Sequence, residues 1–190
     1  MVLSPDLRAA TESALRGQHR GLDDLVEGWL PIVIGWCTRL GGPKVDAEDA
    51  AHDVFIVVSR KIEHVLDPDR FPAWLFAVTR RVLAQHRRRA FVRRWIPGAS
   101  FDGQDHAPGP ARLYAVSEAG EQVRDILATL GEEDREVLVL ALLEDRPDTE
   151  VADLLQVPLG TMKSRLRRAR ERFLRVARAR GLGVLNEESA

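Results

Sequence analysis

The apolar positions of the chain fall into a succession of helical stripes, with no stretch of strand alternation. The sharpest signal lies over residues 148–170. Val151, Ala152, Leu154 and Leu155 give a short helix one apolar side, and Gln156, Val157 and Pro158 break it. Met162, Leu166, Ala169 and Phe173 then recur at i, i+4, i+7 and i+11 on a second helix. At about 100° per residue, the side opposite that stripe carries Gly160, Lys163, Ser164, Arg167, Arg168 and Glu171, a mostly cationic, hydrogen-bonding face. A short helix, a turn and a basic second helix is the layout that seats a recognition helix in a DNA major groove.

Upstream, Ser4-Pro5-Asp6 suits a helix N-terminus ahead of Leu7, Ala10, Ala14 and Leu15. Residues 22–40 form a heavily apolar helix in which Pro31 either begins a new turn or makes a kink, and Gly41-Gly42-Pro43 ends it. Asp46 N-caps the next helix, which runs to Ile62 with Asp49 in its acidic first turn and Ala50, Val54, Val57 or Val58, and Ile62 turned inward. Residues 64–70 read as a loop, and 71–89 as a helix with Phe71, Trp74, Leu75, Val78 and Val82 as its stripe. From residue 97 to 110, glycines and prolines appear without periodicity, which marks a linker and a domain boundary. Helical periodicity resumes near Ser117, closes at Gly131 and returns over 132–144. The expected fold is therefore all-α: a helical domain over 1–96, a flexible linker over 97–117, a second helical domain over 118–180 ending in the helix-turn-helix, and a frayed tail over 181–190.

Composition changes this picture only where charge is concerned. A length of 190 residues allows one ordinary domain or two small ones, and the formal net charge of -1 conceals strong segregation. From Arg70 to Trp95 there are eight arginines and no acid. Downstream, the acidic block that includes Glu132, Glu133, Asp134, Glu136, Glu144, Asp145, Asp148 and Glu150 precedes the basic run from Lys163 to Arg180. Cys37 is the only cysteine and sits in an apolar segment, so it reads as a core residue, and neither an intramolecular disulfide nor a thiolate zinc cluster is available. His19, His52, His64, His86 and His106 lack ligand spacing, so no metal and no cofactor is expected. No apolar run reaches the length of a membrane span, and the expected setting is the cytoplasm without membrane insertion. The chain has no glycine-rich phosphate loop, nucleophile elbow or zinc-protease helix, so no catalytic residue is assigned and no enzymatic activity is expected.

Two stretches suit nucleic acid. The first is the basic face over 160–171. The second is the 71–94 helix, where Arg80, Arg81, Arg87 and Arg88 accompany Gln85; such cations follow a phosphate backbone. Its aromatics Phe71, Trp74 and Phe76 read first as core, with a platform for an unstacked base as the other possibility. The helix that starts at Asp46 suits a protein partner instead, because Asp49, His52 and Asp53 share one side by i, i+3, i+4 spacing and Ile56 lies with them.

Three passages carry a family resemblance: Asp46-Ala47-Glu48-Asp49 through Asp53-Val54-Phe55; Phe71-Pro72-Ala73-Trp74-Leu75 leading to His86-Arg87-Arg88-Arg89; and Glu150-Val151-Ala152 through Leu159-Gly160-Thr161-Met162-Lys163-Ser164-Arg165-Leu166 into Arg168-Ala169-Arg170. In that order, and across a linker, they resemble the extracytoplasmic-function group of bacterial RNA polymerase sigma factors. The resemblance implies that Asp49, His52, Asp53 and Ile56 hold the clamp of the polymerase largest subunit. It implies that the 64–70 loop, with Arg80, Arg81, Gln85, Arg87 and Arg88, melts and reads the −10 element, and that Thr161, Lys163, Ser164, Arg167 and Arg168 read the −35 element. It further implies an anti-sigma partner. A stand-alone helix-turn-helix regulator is the alternative reading of the same DNA-binding features. His52 and Asp53 stand where the family more often has Gln and Glu, Arg81 and Gln85 where it has Asn and Asp, Gln156 for a turn glycine and Pro158 for a capping serine.

Overall fold

The computed structural model describes residues 4–18, 20–95 and 118–181, and over them the chain is helical with no strand. The expected linker over 97–117 and most of the expected tail lie outside the described residues. Four helices make the N-terminal group: α1 (Pro5–Leu15), α2 (Gly21–Gly41), α3 (Ala47–Lys61) and α4 (Phe71–Trp95). Two 3-10 turns, Ile62–His64 and Pro68–Arg70, bracket the segment between α3 and α4. The C-terminal group comprises α5 (Glu118–Thr129), α6 (Glu132–Leu138), α7 (Asp148–Leu155) and α8 (Leu159–Ala179).

Local chemistry fixes the ends. The Asp46 carboxylate accepts from the N–H groups of Glu48 (2.9 Å) and Asp49 (3.0 Å), so α3 begins where its capping residue predicts. Pro31 neither begins nor ends a helix, because α2 runs through it with the ring on the exposed side, where the carbonyl deprived of a donor faces solvent. On α3 the inward residues are Ala50, Ala51, Val54, Phe55 and Val58, while Val57 and Ile62 are only half-buried. Helix α4 continues six residues past the expected end at 89. The expected 132–144 helix widens instead into a π turn over Val139–Leu143, closed by the Glu144 N–H on the Val139 carbonyl (3.0 Å).

The N-terminal core stacks Leu25, Trp29, Val33 and Trp36 of α2 against Val54 and Val58 of α3 and Phe71, Leu75, Phe76 and Leu83 of α4. Trp29 meets Phe71 edge-on at 5.4 Å and Trp36 meets Phe76 at 4.9 Å. Phe71 and Phe76 are therefore core residues, unavailable as base platforms, whereas Trp74 is half-buried. The C-terminal core gathers Val137, Leu140, Val151, Leu154, Met162, Leu166 and Ala169. The two groups pack against each other, with α4 on α7, so that the buried apolar residues form one connected cluster.

Candidate nucleic-acid and polymerase interfaces

The helix-turn-helix is built as its residues dictate. Helix α7 ends at Gln156, which takes the left-handed conformation (φ 54°) while its N–H reaches back to the Ala152 and Asp153 carbonyls. That conformation costs a residue with a Cβ about 1–2 kcal/mol, which explains why glycine suits the position. Pro158 occupies the N-cap position of α8, with Leu159 as the first helical residue, so no side chain caps the helix and its first amides stay open toward solvent. Met162, Leu166 and Ala169 are buried, Lys163, Ser164, Arg167 and Arg168 are exposed on the far side, Arg170 is exposed on the flank, and Thr161 is half-buried.

The outer side of α8 is a loosely tethered cationic surface. Lys163 lies 3.6 Å from Asp148, Arg167 pairs with Glu171 one turn on (3.0 Å), and the Arg168 Nε donates to the Ser164 carbonyl (3.3 Å). Exposed pairs of this kind contribute well under 1 kcal/mol and yield readily to a phosphate. The inner flank is different: Arg165 pairs with Glu133 (3.7 Å) and Arg172 with Asp134, which ties α8 to α6. Arg165 thus meets an acid of its own chain.

The basic residues expected on α4 divide into two sets. Arg81, Gln85 and Arg88 share one exposed side. Arg80 and Arg87 lie about 100° away and face the C-terminal group. The Arg80 Nε donates to Glu136 Oε1 at 2.6 Å, and Arg87 pairs with Glu132 while donating to the Leu40 carbonyl (3.2 Å). On α3, Asp49 and His52 are exposed and Ile56 is half-buried. Asp53 is held by the His86 Nε2 at 2.9 Å, with Arg89 at 3.8 Å, so its carboxylate fastens α3 to α4.

Pattern reading missed the seam between the two groups. Glu144, on the residue that closes the π turn, accepts from the Trp36 Nε1 (3.3 Å), from Arg39 Nη2 (2.6 Å) and from Arg146 Nε (2.6 Å). Arg135 is buried and spends its guanidinium on the carbonyls of Leu40 and Leu127 (both 2.9 Å), Leu130 (3.1 Å) and Ala128 (3.2 Å), the ends of α2 and α5. Burial lowers Arg135 below its ordinary value, and burial likewise raises the Glu136 carboxyl although Arg80 opposes the shift. Asp134, Arg135 and Glu136 are all buried, and a signal for this was present: the five successive charges from Glu132 to Glu136 span about 400° of a helix, so they cannot all face away from the apolar side.

Among the described residues, no three or more His, Cys, Asp or Glu side chains gather as a metal site would, and no helix is long and apolar enough to cross a membrane. Burial pushes the Cys37 thiol up to about 12, as befits a core residue.

Two family models match the chain in order: Sigma-70 region 2 over residues 25–93 and Sigma-70, region 4 over residues 120–173. The chain is 32% identical over 155 residues to the ECF RNA polymerase sigma factor SigE of Mycolicibacterium smegmatis, covering 80% of this chain and 59% of that protein. It is 30% identical over 152 residues to the ECF RNA polymerase sigma factor RpoE of Cereibacter sphaeroides, covering 79% of this chain and 82% of that protein. In fold it is similar to CnrH in its complex with the cytosolic domain of CnrY (TM-score 0.64, 24% identity, 90% of this chain and 97% of that one). It is also similar in fold to the sigma factor RpoE of Bartonella quintana in its complex with the anti-sigma factor NepR (TM-score 0.60, 21% identity, 84% and 98%).

Proposed function

The chain belongs to the extracytoplasmic-function RNA polymerase sigma factors, and from that premise we propose that it joins RNA polymerase core in the cytoplasm and directs initiation at promoters with cognate −10 and −35 elements. The observation that carries this reading is the exposed cationic side of α8 on a helix-turn-helix, set behind a second basic helix in a region 2 match. In this reading residues 118–180 anchor the upstream duplex: Thr161, Lys163, Ser164, Arg167 and Arg168 enter the major groove while the uncapped α8 N-terminus favours a phosphate. Residues 1–96 bind the clamp through Asp49, His52, Asp53 and Ile56, and meet the opened −10 strand through the 64–70 loop and the Arg81, Gln85, Arg88 side of α4. Arg80 and Arg87 join them only when the C-terminal group moves away and surrenders their glutamate partners.

The protein performs no catalysis of its own in this scheme, and an anti-sigma protein binds it, as the anti-sigma factor NepR binds the sigma factor RpoE of Bartonella quintana. A stand-alone regulator is less favoured, because such a protein has no use for a region 2 domain. Run-off transcription with purified core on genomic promoter fragments tests the proposal. The expected result is discrete, core-dependent transcripts; absence of both core binding and specific transcripts sinks it.

A further inference from the structure

Helix α1 ends before the region 2 match begins at residue 25, and the proposed function leaves it without a task. Its side chains nevertheless hold the segment between α3 and α4 from behind. Arg8 Nη1 donates to Asp69 Oδ1 at 2.8 Å and Nη2 to Oδ2 at 3.3 Å, a two-point grip that fixes orientation as well as distance. Arg8 is itself steadied by Glu12, whose Oε1 accepts from Arg8 Nε (3.1 Å) and whose Oε2 accepts from Arg16 (3.0 Å). The Asp69 N–H in turn donates to Asp67 Oδ1 (2.9 Å), so the grip on Asp69 extends to the turn around it.

A second, buried connection runs in parallel. The Thr11 hydroxyl accepts from Trp29 Nε1 at 3.1 Å and donates to the Leu7 carbonyl at 2.7 Å, and Trp29 meets Phe71 edge-on at the first residue of α4. At the other end of the segment, Val65 is buried. Between Val65 and Asp69, Leu66 projects with 92% of its surface exposed. An apolar side chain held in water on a segment anchored at both ends, beside a basic helix, has the form of the wedges that proteins place between unstacking bases.

We propose that α1 is the positioning element of this loop, and that Arg8 and Asp69 are a positioning pair that sets where Leu66 and its neighbours meet the opened −10 strand. The inference rests on the sigma-factor reading and on its assignment of this segment to the −10 element. The pair is exposed on both sides, so its loss spares the fold. A loop orientation is governed by energies of that same small size, and these still change an equilibrium about fivefold.

The test uses the full chain with purified core, on a promoter first identified with the unmodified protein and on the same promoter with each −10 base changed. Variants are Arg8→Gln, Asp69→Asn, the two combined, and Arg8→Lys. Expected is an about fivefold smaller ratio of transcription between intact and altered −10 elements for each single variant. The combined variant is expected to be no worse than either, Arg8→Lys partly restored, and melting temperature and core affinity unchanged. Unaltered −10 selectivity in Arg8→Gln, or losses that add in the combined variant, overturns the proposal. An unmodified protein that gives no core-dependent transcript overturns the sigma-factor reading and this inference with it, so the two failures are distinguishable.

Discussion

Glu144→Gln perturbs the seam at its most connected point. The substitution keeps the shape of the side chain and removes the charge that three donors address: the Trp36 indole N–H, Arg39 and Arg146. Glu144 is 8% exposed, whereas Arg39 is 36% exposed and Arg146 16%. Removing one partner of a fully buried ion pair costs about 3–5 kcal/mol, mostly because the other charge is stranded. The partial exposure of Arg39 lets water recover part of this, which leaves an expected loss of about 2–3 kcal/mol. Urea unfolding followed by circular dichroism at constant m measures it. The origin of the loss can be checked by removing the charges together. Arg39→Met, Glu144→Leu and Arg146→Met combined should recover part of the loss, the remainder coming from the stranded Trp36 N–H and from Glu150, which Arg146 also faces at 3.8 Å. Solution scattering supplies a second reading: a chain of 190 residues folded as one body has a radius of gyration of about 16 Å, and Glu144→Gln should exceed the unmodified protein. A stability loss below about 0.5 kcal/mol, at the level of an ordinary surface change, refutes the reasoning.

Three further outcomes are expected. Arg168→Ala should weaken transcription from promoters with an intact −35 element about tenfold, and narrow their advantage over −35 mutants, while leaving the melting temperature in place; equal losses on both templates would assign Arg168 to the phosphate backbone instead. Gln156→Gly should stabilise the chain by about 0.5–1 kcal/mol, because the left-handed strain it relieves exceeds the chain entropy that glycine adds, and thermal melting would show it. Burial raises the native Glu136 carboxyl above its ordinary value of 4.5, so its stabilising contribution is complete below that value and fades as pH rises through the native one. The stability of the unmodified protein relative to Glu136→Gln should therefore fall as pH rises above 4.5, and a difference independent of pH would contradict the assigned burial.

The helix-turn-helix was legible in the sequence because one periodicity governs it: Met162, Leu166 and Ala169 must be buried, and the position of Lys163, Ser164, Arg167 and Arg168 opposite them follows from helix geometry alone. The α3 cap was legible for a similar local reason, since Asp46 satisfies amides two and three residues on. What was not legible depends on partners distant in the chain. Arg80 and Arg81 are adjacent in sequence and equal in chemistry, yet Arg81 faces solvent while Arg80 meets an acid 56 residues downstream. Whether an arginine on α4 serves DNA or the seam was thus undetermined until α6 was in place. The π turn was hidden too, because Val139 and Leu140 fit an α-helical stripe and the partners of Glu144 at its end, Arg39 and Trp36, lie 105 and 108 residues away in the chain.

The seam and the proposed DNA-facing set of α4 therefore draw on the same helix. Arg80 and Arg87 cannot hold Glu136 and Glu132 and a phosphate at once, whereas Arg81, Gln85 and Arg88 are open in the packed arrangement. In the packed form α4 leaves three of its five candidate side chains open, and the acids that occupy the other two belong to the group carrying the exposed cationic side of α8. Separation of the groups gives α4 its full cationic surface and exposes the acidic side of α6 in the same step. That exposed acid repels nucleic acid, so the cost of separation is offset only by a partner that binds both groups apart. In the function proposed above the polymerase core is such a partner, so use of Arg80 and Arg87 together with the three open side chains of α4 is expected only with core bound.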